Sequence, residues 1–478
     1  MRAAAIGCLG LMSHEALAAQ PYQEYRKHIE SAQTLTALTD GLMGDSTSPF
    51  NGATEFAVTD IALPGNHALP VQLRRRFSIE ITPGGAPGSA AGDPAYRGIG
   101  NWDIEVPYIS TTFGQGAWPD TRCSSMVLPS VPAGLDATDL WQGNSVHVPG
   151  EGGRKMLYLA SASIPQPTDG VSRSWTTRER DMFRCIPMQG GLTGEGFLMQ
   201  TPSGLKYYFD QATTRYAGTL YYQPGVGFSP FSASRTRYYL LASKIEDRFG
   251  NTVAFSYNAA GHPVAITASD GRAIALTYSG GRLASATVHD SVANVDRTWQ
   301  YAYGTTGDDA GLLTQVTLPD GSHWQYGHQG TLFPDDGGVW DGGTGSNCGI
   351  APPEVAAAFA LTVTHPGGAT GTFQLGNRRH PRSGVHMNAC IERLMDQGGT
   401  PTYVYKLAIP TYFDVMSLSQ KTLSGPGMSS MTWTYQFPPG RKGALWGTRG
   451  SPAVYPCATC PTEKVVTVAQ PDGTSRQY

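Results

Sequence analysis

DRFGNTVAFSYNAAGHPVAITASDGRAIALTY, residues 247–278, states one phrase twice. A polar turn carrying a glycine opens a strand of alternating residues, and the strand ends on an aromatic: Asp247, Gly250 and Tyr257 first, then Asp270, Gly271 and Tyr278. Looser copies are TPSGLKYYF (201–209, with Gly204 and Tyr208), LPDGSHWQY (318–326, with Asp320, Gly321 and Tyr326), HPGGATGTF (365–373) and QPDGTSRQY (470–478, with Asp472, Gly473 and Tyr478). Glycine supplies the positive φ of a tight turn, and the aromatic suits a pleated surface. Second strands, GRLASATVHD (281–290) and GLLTQVTLPD (311–320), lie between such turns, so one unit approximates a hairpin. A lone hairpin is marginal in water, so the units are expected to pair edge to edge in a long sheet.

The rest of the chain fits a mostly β protein. In 478 residues there are 59 Gly, 34 Pro and 23 Tyr but only 15% charged residues, a balance that favours short strands and turns over long helices. From 45 to 198 the apolar clusters are irregular and separated by Gly/Pro loops, as in an irregular or sandwich-like N-terminal β domain. Residues 199–478 form the hairpin-repeat region. Two helices are expected: a lead segment over 20–44, and a short one over 353–361, where EVAAAFAL follows a proline pair.

Residues 1–19 have the layout of a secretory signal peptide, with Arg2, an apolar stretch and a small-residue end at Leu17-Ala18-Ala19. The expected location is therefore secreted or cell-surface. Six cysteines follow, an even number compatible with disulfides but silent on their pairing. A formal net charge of −3 implies no general attraction to nucleic acid, and nothing after the leader reads as a membrane anchor. The one basic run, Arg74-Arg75-Arg76, reads as a solvated strand edge or as partner to nearby acids.

The phrases at 247–278 and SGGRLASATV (279–288) resemble the Rhs, or YD-repeat, family. Ser279-Gly280 stands where that family typically has Tyr-Asp. The front region, from GLMGDSTSPF (41–50) through NWDIEVPYISTTF (101–113) and WQGNSVHVPG (141–150), is similar to the leader-proximal part of secreted bacterial Rhs-repeat proteins. The resemblance implies a spiral of β-hairpins winding into a shell that encloses or displays a C-terminal toxin or effector. QPDGTSRQY opens a strand whose partner would come next, so the chain reads as the front part of such a wall.

Chemistry-bearing patterns are sparse. No phosphate-binding loop, nucleophile elbow or zinc helix appears, and no cofactor or enzymatic activity is expected. Asp103 and Glu105, two apart on a strand, have the layout of a glycosidase pair, but a solvated face facing Arg74–Arg76 is the plainer reading. Asp335, Asp336 and Asp341 in a Gly-rich loop offer oxygen ligands for calcium without EF-hand spacing. Cys457 and Cys460 have the spacing of a disulfide, a redox pair or half a zinc knuckle. Strand aromatics such as Tyr207, Tyr208, Tyr238, Tyr239, Trp299, Tyr301 and Trp324 mostly read as inter-strand packing. Exposed, they would suit sugar rings, which keeps a glycan-binding adhesin as the alternative function and a secreted carbohydrate-active enzyme as the third.

Overall fold

The computed structural model describes residues 42–79, 98–113, 116–126, 143–159, 168–224, 231–290, 294–330, 356–381, 412–437 and 465–478, with Leu128, Trp141 and further strand segments between 385 and 454. The described residues are mostly strand, with no α-helix and one 3-10 turn at Gly307–Asp309. The leader and residues 20–41 of the expected lead helix lie outside them.

A small front sheet runs in the order β1 (Asp45–Thr47), β2 (Thr54–Leu63), β3 (Val71–Ser78), β4 (Asp103–Ile104). The large sheet begins with β5 (Tyr108–Phe113), β6 (Ser145–Val148), β7 (Gly152–Lys155), β8 (Leu157–Tyr158), β9 (Trp175–Thr176), β10 (Met182–Pro187) and β11 (Glu195–Gln200). Two long strands, β12 (Lys206–Pro224) and β13 (Phe231–Glu246), form its spine. The hairpin strands follow: β14 (Thr252–Tyr257), β15 (Pro263–Ala268), β16 (Ala273–Ser279), β17 (Arg282–Asp290), β18 (Val295–Tyr303), β19 (Leu313–Thr317), β20 (His323–Gly330), β21 (Ala358–Thr364) and β22 (Thr370–Pro381). Beyond them come β23 (Val385–His386), β24 (Cys390–Gln397), β25 (Thr400–Ala408), β26 (Tyr412–Gly425), β27 (Met428–Gln436), β28 (Leu445–Trp446), β29 (Ala453–Val454), β30 (Thr467–Ala469) and β31 (Ser475–Gln477).

Each strand from β8 to β22 that follows another in this sheet pairs antiparallel with it, and the sheet continues through β26, β27, β30 and β31. It branches at the spine, where β5 and β14 share one edge of β13, while β12 pairs with β11 near its start and with β25 at its end. Among the described residues no pairing closes it into a barrel. Hydrogen bonding is continuous across 198/199, because β11 pairs with β12.

One glycine-bearing turn recurs seven times among the described residues, six times in the repeated phrase and once more at Asn258–His262. In each, the first residue donates its N–H to the carbonyl of the fifth, and the glycine donates to the carbonyl of the first, at 2.8–3.2 Å. The glycines 204, 250, 271, 321, 368 and 473 all have φ between +83° and +91°. This is the three-residue hairpin loop, a type I turn followed by a left-handed residue that forms a bulge. Because every step between strands is antiparallel, turns alternate between two rims: the six of the repeated phrase lie on one rim, and that of Gly261, at φ 77°, lies on the other. The 50-residue gap from Gly271 to Gly321 hides one more hairpin on the first rim, β17–β18, which uses Asn294 at φ 51°. Gly280-Gly281, with φ of 56° and 77°, makes a two-residue loop on the opposite rim.

Two expectations are corrected. Ala358–Thr364 is a strand, because Phe359, Leu361 and Val363 alternate into the core, and that burial outweighs the helix preference of the alanine run. The final phrase does have a partner: β31 folds back on β30, and Tyr478 exchanges both backbone hydrogen bonds with Val466.

The front sheet packs on one face of the hairpin sheet. Phe56 meets Phe373 edge to face at 4.7 Å, and Trp102 meets Tyr326 at 5.2 Å, so the two layers share one core.

Candidate functional site

The chemistry-bearing side chains collect where the two layers meet. In β3, Val71, Leu73, Arg75 and Phe77 alternate inward, which puts a guanidinium in phase with the apolar face. Arg75 is fully buried; the expected solvated edge is not what this run forms, since β3 lies between β2 and β4. Arg75 Nε donates to both oxygens of Asp60 at 2.9 and 3.0 Å. Asp60 reaches it because the β2–β3 register shifts at that residue. The Tyr301 hydroxyl from the hairpin sheet donates to the same carboxylate at 2.9 Å. Arg75 Cζ lies 4.3 Å from the Trp102 ring centroid and 5.1 Å from that of Tyr326. Burial, the largest single influence, favours the neutral guanidine, but the charge and hydrogen bond of Asp60 together with Tyr326 and Tyr301 outweigh it and hold the group protonated above its ordinary value. Burial, with Asp60 adding to it, pushes the Tyr301 phenol far up.

The flanking arginines face the other way. Arg74 Nε lies 2.6 Å from Glu105 Oε2, and Arg76 pairs with Glu55 at 3.5 Å and is the register partner of Asp103. The acid pairing expected of this run is present, but Glu105 is buried instead of solvated, with His147 at 3.7 Å on its other oxygen. Burial would raise the Glu105 carboxyl; the contact with His147 and the charges of Arg74 and Arg76 together outweigh it and lower it. A carboxylate held ionised in this way is the opposite of a general acid, which needs its proton.

Three further joints hold the layers together. Asp270 and Arg272, at a repeat turn, clamp the β2–β3 loop: Arg272 Nη1 donates to the Leu63 carbonyl at 2.8 Å, and Asn66 N–H donates to Asp270 at 3.1 Å. Their ion pair, at 2.9 Å, helps hold the Asp270 carboxyl down at about 2. Lys421 pairs with Asp45 at 2.5 Å. Asn101, in the loop before β4, bonds both His328 and the Leu313 backbone. Sequence reading missed these partners, although WQYGH (324–328) carries the signal: Trp324, Tyr326 and His328 fall on the inward phase of β20.

Of the repeat tyrosines, Tyr257, Tyr278 and Tyr326 are at least half-buried, and Tyr478 is exposed. Tyr257, Tyr278 and Tyr303 share one device. Each sits at a register shift, and each hydroxyl donates to a backbone carbonyl of the preceding strand or its edge: Ala242, Pro263 and Leu283, at 2.7, 2.9 and 2.8 Å. Tyr208 instead donates to Glu246 at 3.0 Å, beside Lys206 and Lys244. Tyr207, Tyr238, Tyr239, Tyr301 and Trp324 are buried, so their faces pack inside.

Asp335, Asp336 and Asp341, and Cys457 and Cys460, lie outside the described residues. Cys123 and Cys185 form a disulfide, a pairing that the sequence left open. Glu195 lies near both sulfurs, but its carboxylate accepts the backbone N–H groups of Cys123 and Ser124, and sulfurs bonded to each other are not metal-binding thiolates.

No family model and no curated protein matches this chain. The layered geometry alone therefore carries its functional reading.

Proposed function

We propose that this chain is a non-catalytic, exported scaffold: the front part of a wall of Rhs/YD-type β-hairpins that encloses or displays a C-terminal toxin or effector and contacts cell surfaces. The observation that carries this reading is the single antiparallel sheet in which one turn geometry recurs six times along one rim. Such a sheet extends by adding hairpins, each pairing through backbone groups, so its length is not limited by a core. The front sheet covers one face and is pinned by buried ion pairs, which suits a wall more than a moving enzyme part. The Cys123–Cys185 disulfide supports folding in an oxidising compartment.

Purifying the native product from the medium of cells that make it, and measuring its mass and sequence coverage, tests the proposal. The expected product is exported and carries further hairpins and a dissimilar tail after Tyr478. A product that stays in the cytosol, or that is exported at 51.0 kDa or less, contradicts it.

A further inference from the structure

His328 occupies the joint between the layers, with its side chain fully buried. Its surroundings admit one tautomer. The Leu313 N–H can only donate, and it points at Asn101 Oδ1 at 3.2 Å, which fixes the amide orientation. Asn101 Nδ2 is thereby turned toward His328 Nε2, 3.0 Å away, and Nε2 must accept. The proton sits on Nδ1, which donates to Asp309 Oδ1 at 2.8 Å; the same oxygen takes the His328 backbone N–H at 2.9 Å.

We propose that Asn101 and His328 form an acid-sensitive latch: protonation of the imidazole breaks the contact between the front sheet and the hairpin sheet and frees the loop Gly98–Asn101. A proton on Nε2 would face the amide N–H₂, donor against donor. Rotating the amide by half a turn relieves that clash but sets the N–H₂ against the Leu313 N–H. The Nδ1 contact to Asp309 lies within the hairpin sheet and is strengthened by the new charge. The lost bond is therefore the one that crosses the layers.

The charged groups around the imidazole are few. Asp308 and Asp309 lie on the 3-10 turn; Asp308 is occupied by the Gly330 N–H at 2.7 Å. The adjacent strands β19 and β21 carry no charged residue. On the front sheet, Arg75 lies against Tyr326, two residues along β20, and is paired with Asp60. Burial lowers the imidazole below its ordinary value, and Asp309 only partly opposes this. The sign follows: the latched form holds fewer protons, so it is fully stabilised above the ordinary value near 6.5 and weakens as pH falls from there toward the depressed one.

The loop is built for close seating, so its release is local and readable. Gly98 and Gly100 have φ of 73° and 66°, and a Cβ on Gly98 would lie 2.8 Å from the His262 ring. Gly98 accepts the Leu283 N–H at 2.7 Å, which gives a second backbone reporter beside Leu313.

The test is amide hydrogen exchange of the full chain between pH 7.5 and 5, corrected for intrinsic rates. Protection of Leu283 and Leu313 is expected to fall about tenfold per pH unit below about 6.5, levelling at lower pH, while Ile274 stays protected. In His328→Gln the fall is expected to vanish. In Asn101→Asp, whose carboxylate accepts from both Leu313 and a protonated imidazole, it is expected to reverse, with protection rising on acidification. Unchanged protection in the wild type, or the same acid loss in His328→Gln, overturns the latch. Should His328→Gln not fold, ring ¹⁵N shifts of wild-type His328 decide: the Nδ1–H tautomer at pH 7.5 is required, and Nε2–H contradicts it.

Discussion

Arg75 donates one nitrogen to both oxygens of Asp60 inside the core shared by the front sheet and the hairpin sheet, and neither side chain reaches solvent to more than 1%. A charge pair placed there is a poor source of net stability, because desolvation roughly cancels the attraction. Its effect is to fix the layers: only one register brings Tyr301 and Tyr326 to the pair.

Removing one partner leaves an unpaired buried charge. Asp60→Asn or Arg75→Met is expected to cost about 3–5 kcal/mol in urea unfolding, and the double change Asp60→Leu/Arg75→Met much less than the sum. Additive costs in that double-mutant cycle would mean that the two residues do not act as a pair.

The tyrosine device predicts a repeated, modest loss. Tyr257→Phe, Tyr278→Phe and Tyr303→Phe each delete a hydroxyl-to-carbonyl bond, so each should lower stability by about 1 kcal/mol. Tyr478→Phe, at an exposed position, should be neutral.

Two glycines separate conformational strain from crowding. Gly271 has φ +91° and open space within 4 Å of where a Cβ would stand, so Gly271→Ala should cost only the backbone preference, about 1–2 kcal/mol. Gly191 has φ +80°, and a Cβ there would lie 2.0 Å from the Ala212 carbonyl oxygen, so Gly191→Ala should cost clearly more. Equal midpoints in thermal melts would contradict this ranking.

The disulfide joins residues 62 apart in sequence, and closing a loop of that size restrains the unfolded chain by about 4 kcal/mol in the entropic account. Cys123→Ser/Cys185→Ser should lower stability by an amount of that order, and reductant should do so for the wild type but not for the double variant.

Acid should weaken the spine. Lys206 donates to Glu246, and with Lys244 and Tyr208 it outweighs the opposing burial effect and holds that carboxyl at about 2 against an ordinary 4.5. A depressed carboxyl contributes above the ordinary value and loses that contribution as pH falls through the depressed one. The stability difference between wild type and Glu246→Gln should therefore be constant above about pH 5 and shrink between 4.5 and 2. A difference that does not shrink there would remove Glu246 from the acid response.

How much of this was legible in the sequence depends on the range of the interaction. Gly250 and Gly271 announced their turns because a positive φ is a local demand. EVAAAFAL misled because local preference favoured helix while pairing of Ala358–Thr364 with β20 decided the outcome. Arg75 was read with its charged neighbours, although its phase with Val71, Leu73 and Phe77 already placed it inside. Asn101 and His328 lie 227 residues apart, and nothing in either neighbourhood names the other.

The most direct measurement is a cryo-EM map of the native product. The expected map shows one wall of antiparallel strands about 4.8 Å apart, continuing past the hairpin of Thr467–Gln477, with the front sheet seated on one face and Trp102 against Tyr326. A product whose hairpins form separate small sheets, or whose front sheet lies away from Tyr326, would contradict it.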